Sequence, residues 1–87
     1  MIKTVSRKKV VYVINETGQR LWLSQMGSWV QGQYTFIWDR DFKNARQFNT
    51  EKEATQVGML AVSQLPNLDE FYIAKRVEKS NGTVELQ

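Results

Sequence analysis

Two periods of hydrophobic and polar residues succeed one another along this chain. KVVYVIN (9–15) and RLWLS (20–24) are β-branched and aromatic runs, the composition of half-buried strands. The intervening ETGQ offers Gly18 for the positive φ that a hairpin loop of this length usually requires. QYTFIW (33–38) reads as a third strand, with Trp29 and Val30 either beginning it or forming an edge that Gly32 interrupts. EFYIAKRVEKS (70–80) alternates like a strand, and Asn81-Gly82 before TVELQ predicts a closing hairpin with a type I′ turn.

Between these stretches the period lengthens. Thr50 and Glu53 have the capping-box spacing, in which a hydroxyl and a carboxylate satisfy free backbone N–H groups of a first helical turn. Phe48 is placed to staple onto Ala54, and the helix runs through EKEATQVGMLAVSQL until Pro66, which cannot continue it. Ala54, Val57, Gly58, Ala61 and Leu65 mark its buried stripe, with Leu60 at the edge. That stripe is thin, so the helix can approach a sheet closely and the sheet must supply the volume. DRDFKNARQF (39–48) predicts one short helical turn capped by Asp39 or Asp41, with Phe42, Ala45 and Phe48 inward.

The resulting architecture is α+β: an antiparallel sheet of four to five strands in the order β-β-β-short turn-α-β-β, with one main helix packed on one face. Strand parity puts Tyr34, Phe36 and Trp38 together, largely under the helix, with Leu21, Leu23, Phe71, Ile73 and Val77 on the same side. Arg20, Trp22, Tyr72 and Arg76 then fall on the opposite face, an aromatic and basic surface, and Trp29 beside the glycines adds to it.

At 87 residues, with 41% apolar and 11% aromatic positions, the chain supports one core. The net charge of +3 is uneven: Lys3, Arg7, Lys8 and Lys9 place four positive charges in the first nine residues, leaving eight basic and nine acidic groups in the other 78. We therefore read residues 1–9 as a basic N-terminal arm and 10–87 as a single, nearly neutral α+β domain. VVYVI (10–14) is shorter than the apolar region of a signal peptide, and nothing approaches the roughly 20 apolar residues of a membrane span. A cytoplasmic protein without membrane contact is the expectation.

The chain has no histidine and no cysteine, which removes the usual acid–base agent at neutral pH and the two favoured zinc ligands. Asp39 and Asp41 resemble an oxygen-ligand pair, but two acids at a helical start more commonly serve as caps. Ser24 and Ser28 have no base to activate them, and the glycines lack the strand-then-helix context of a phosphate loop. No catalytic residue, cofactor or metal is expected.

The succession YVIN, GQRLWLS, an aromatic strand, KNARQFNTEKEA and FYIAKRVE, spanning most of residues 10–78, resembles a group of small uncharacterised proteins carried by bacteriophages and Gram-positive bacteria. The resemblance implies a cytoplasmic accessory protein that acts by binding. SWVQGQYTFIW (28–38) and the hairpin after Arg76 depart from that group.

Two binding functions follow from the residues. The first is a non-enzymatic interaction domain that meets a protein partner, or a second copy of itself as a homodimer, through the open sheet face (Arg20, Trp22, Trp29, Tyr72, Arg76) or a sheet edge. The alternative is nucleic-acid binding by Arg7, Lys8 and Lys9 of the arm with Trp22 and Arg76 of the face. Against both stands a plainer account, in which the second face is covered by the protein's own aromatics, its C-terminal hairpin or a second copy.

Overall fold

The computed structural model describes residues 1–27, 34–65, 67–68 and 70–87. Five strands, β1 (Thr4–Ile14), β2 (Arg20–Met26), β3 (Phe36–Asp39), β4 (Tyr72–Lys79) and β5 (Val84–Leu86), form one antiparallel sheet in the order β3-β2-β1-β4-β5. A 3-10 turn, Phe42–Asn44, and one helix, α1 (Glu51–Ser63), separate β3 from β4. This is the predicted α+β fold.

β1 begins well before the predicted strand. Residues 4–9 are not an arm outside the fold: β4 pairs with them from Thr4↔Lys79 to Lys9↔Lys75, with one irregularity between Thr4 and Ser6. Lys3 extends the ladder, accepting from Ser80 N at 2.7 Å and donating its own N–H to Ser80 Oγ at 3.1 Å. Lysine and arginine have little strand preference, so the pairing comes from the partner strand and not from local composition.

Both hairpins close with a three-residue loop ending in a glycine at positive φ. Asn15 N donates to Gln19 O (2.9 Å) around Glu16-Thr17-Gly18, with Gly18 at φ 82°. Lys79 N donates to Thr83 O (2.8 Å) around Ser80-Asn81-Gly82, with Gly82 at φ 86°. The second is one residue longer than the predicted type I′ turn: the bond from Gly82 N to Lys79 O makes a type I turn followed by a left-handed glycine, the usual three-residue solution. In each loop an asparagine Oδ1, of Asn15 or Asn81, accepts from the residue two positions on.

α1 starts where the capping pattern puts it, with Thr50 Oγ1 accepting from Glu53 N at 3.2 Å. Ala54, Gly58, Ala61 and Val62 are its buried residues; Val62 joins the predicted stripe, and Leu65 lies past the helix end, half-buried. The slim face works as expected. A methyl group at Gly58 would lie 2.5 Å from the Phe71 ring, so the ring occupies the space that a side chain would need. Below α1, Val11, Leu23, Phe48 and Ala54 form a core cluster, with Phe36, Trp38, Val57, Phe71 and Ile73 packed against it.

The sheet is forked. β1 and β2 pair over three rows only, from Ile14↔Arg20 to Tyr12↔Trp22, and then part. Residues 46–48 fill the gap: Arg46 N donates to Leu23 O at 2.7 Å, while Phe48 and Lys9 exchange two backbone bonds of 2.8 Å. The chain thereby crosses the sheet, because Phe42 and Ala45 pack on one face and Phe48 on the other. All three point inward as predicted, but into different cores.

Candidate functional site

The helix-free face carries a second cluster: Val10, Trp22 and Ala45, with Tyr12, Phe42, Ala74 and Leu86 against it. Parity placed Trp22 on the correct face, yet its indole is not a contact surface, being only 4% exposed. The 3-10 turn is the reason. Asp41 caps it by accepting from Lys43 N (3.0 Å), Asp39 accepts from Asp41 N and Asn44 Nδ2, and the turn so fixed sets Phe42 and Ala45 over the indole. The two carboxylates are therefore occupied in shaping a turn.

What remains open is the upper part of that face. Four rings run across the sheet: Phe42 meets Trp22 edge-on at 6.3 Å, Trp22 meets Tyr12 at 4.7 Å, and Tyr12 stacks on Tyr72 at 5.2 Å and 23°. Tyr12 is cross-strand neighbour to both Trp22 and Tyr72, so the ladder register alone aligns the last three rings. Burial falls along the row, from the enclosed Trp22 to Tyr72, 38% exposed at its far end. Arg20 lies over the Tyr12 ring with Cζ 5.0 Å from its centre, and the Tyr72 hydroxyl donates to Glu70 Oε2 at 3.0 Å.

Below the aromatic rows the same two strands turn cationic. Lys8 stands directly opposite Arg76, and Lys9 directly opposite Lys75, so two consecutive rows pair like with like. Arg7 and Lys79 continue the ladder beyond them. Half of the chain's twelve basic residues thus converge on one stretch of two strands, with Glu78 and Glu85 as its acids. Even and odd positions divide these cations between the faces: Lys8 and Arg76 join the aromatic side, Lys9 and Lys75 the helix side. Like charges directly opposite cost a few tenths of a kcal/mol to about 1 kcal/mol per row.

Little inside the protein compensates. Lys8 Nζ donates to Asn49 Oδ1 and Lys79 Nζ to Thr4 Oγ1, both neutral acceptors. Among the described residues, the side chains of Arg7, Lys9 and Lys75 have no hydrogen-bond or ion-pair partner, and Arg76 Nε is enclosed without an acceptor.

Of the residues predicted for a site, Arg20, Tyr72 and Arg76 share the helix-free face, and Lys8 joins them from the supposed arm. Arg7 and Lys9 turn to the other face, Trp22 is interior, and Trp29 lies outside the described residues. Sequence reasoning missed Tyr12, which is both stacked and half-buried, and missed Lys75 and Lys79. A signal was present: KKVVY (8–12) and YIAKR (72–76) are mirror images in chemical type, so antiparallel pairing brings cation to cation and aromatic to aromatic.

No family model, curated protein or solved structure matches this chain. Among the described residues no helix is long and apolar enough to cross a membrane.

Proposed function

We propose that this protein is a non-enzymatic, cytoplasmic binding module whose ligand is the phosphate backbone of a nucleic acid, gripped by the cationic half of the β1–β4 ladder. The observation that carries this reading is the register. Lys8↔Arg76 and Lys9↔Lys75 concentrate charge that the fold itself does not neutralise, and a polyanion would relieve the repulsion while releasing its own counterions. A pI of about 9.4 has the sign this requires, and the charge is carried by two paired strands, divided between their two faces, and not by a loose arm. The resemblance to phage and Gram-positive proteins fits an accessory role of this kind.

Fluorescence anisotropy with a labelled oligonucleotide tests the reading. Binding is expected at low ionic strength, with log K falling linearly against log salt concentration. Absence of binding to single-stranded and duplex probes at low ionic strength would contradict it.

A second reading keeps a protein partner. Ile37 is 50% exposed on β3, the outermost described strand on its side of the sheet, a place where a partner strand can be added. Self-association through Trp22 loses its anchor because the indole is interior. Sedimentation over a wide concentration range tests the homodimer version at this edge: concentration-dependent association abolished by Ile37→Lys supports it, and a monomer throughout removes it.

A further inference from the structure

We infer that the cationic half of the β1–β4 ladder enters the major groove of duplex DNA edge-on, so that each face of the sheet meets one of the two phosphate strands that wall the groove. This rests on the nucleic-acid reading above and adds to it the class of nucleic acid.

The division of charge decides between ligands. Lys8 and Arg76 stand on the helix-free face, whereas Arg7, Lys9, Lys75 and Lys79 stand on the other. A single strand laid along either face would leave the cations of the opposite face without phosphate. A ligand with negative walls on both sides neutralises all six, and the groove of a duplex has such walls. On the helix side the register surrounds Val77, 2% exposed, with Arg7, Glu85, Lys75 and Lys79, long side chains whose stems can cover an apolar residue while their heads stay in water.

The ladder also projects far enough to enter. Phe48 pairs with Lys9 and α1 starts soon after it at Glu51, while Leu65, past the other end of the helix, lines a cavity with Asn15, Glu16 and Thr17. The helix therefore lies along β1 above Lys9, and the lowest β1 members of the two core clusters are Val10 and Val11. Thr4–Lys8 extend beyond that level by about 17 Å at 3.4 Å per residue. The fork leaves one edge of this extension open. Arg7, two residues before Lys9, turns its N–H and C=O to the side where Lys9 bonds Phe48, and no described strand pairs with it there. A sheet with its side chains is about 10 Å thick, which the major groove of B-DNA, about 12 Å wide, accepts. The minor groove, about 6 Å wide, does not, and the major groove of an RNA duplex is deep and narrow.

The test titrates the intact protein at low salt with three labelled probes of equal length: a DNA duplex, one of its single strands, and the RNA duplex of the same sequence. Wild type is expected to bind the DNA duplex more tightly than either other probe. Lys8→Ala and Lys9→Ala, neighbours on opposite faces, should each make the salt slope for the DNA duplex shallower by about 0.9, one phosphate contact apiece, and the double variant by about twice that. If the single strand or the RNA duplex binds wild type as tightly as the DNA duplex, or if only one of the two substitutions moves the slope, groove entry is overturned while the phosphate reading stands. If no probe binds, both fall. The probe comparison uses wild type alone, so it decides the matter even should a variant fold poorly.

Discussion

β1 and β4 meet in one continuous ladder whose two halves obey opposite rules. In the rows Val10↔Ala74, Val11↔Ile73 and Tyr12↔Tyr72, apolar and aromatic partners face each other, with Val11 and Ile73 in the cluster under α1 and Val10 and Ala74 in the cluster beside the 3-10 turn. In the rows Lys8↔Arg76 and Lys9↔Lys75, positive groups face each other and make no ion pair among the described residues. The upper half contributes stability; the lower half costs some. The two repulsive rows are the feature on which the proposed grip on a phosphate backbone rests.

Substitutions in the cohesive half should have the largest effects. Trp22→Ala removes the most enclosed ring of the aromatic row and is expected to cost about 3–5 kcal/mol, measured by urea unfolding. A midpoint within a few tenths of the wild-type value would show that the turn at 42–45 does not cover the indole. Gly58→Ala comes next. In an exposed helix the change would gain about 1 kcal/mol, but here the new methyl would stand 2.5 Å from the Phe71 ring, and overpacking of this kind costs about 1–3 kcal/mol. A lower unfolding midpoint is expected; a higher one would mean that α1 does not rest on Phe71.

Much of the cohesive half was legible in the sequence, for physical reasons that can be named. The capping pair Thr50 and Glu53, the small-residue stripe and the two glycine loops are local signals, and each produced its element. Strand parity assigned Leu23, Phe36, Trp38, Phe71 and Ile73 to the helix side, because alternation survives whatever the neighbours are. Exposure was harder. Parity says which face Trp22 takes, but only the path of residues 42–48 through the fork says what covers it, and that path is a tertiary event fixed by bonds to Leu23 and Lys9.

The repulsive half was misread for a related reason. KK at 8–9 has poor strand propensity and resembles a solubilising arm until its partner is known. Once YIAKR is seen as KKVVY in reverse, antiparallel pairing places the cations together without further assumption. Residue 29, the remaining predicted contact, lies outside the described structure.

The smallest stability change is the most telling, and it lies in the repulsive half. Replacing exposed Lys75 by glutamate, Lys75→Glu, turns the row with Lys9 from like-charged to complementary. Unfolding and oligonucleotide titration on the same variant should show opposite signs: stability higher by about 0.2–1 kcal/mol, and weaker binding with a salt slope shallower by about one. Unchanged affinity, or a loss of stability, would contradict the view that these rows are held for an anionic strand at the expense of the fold.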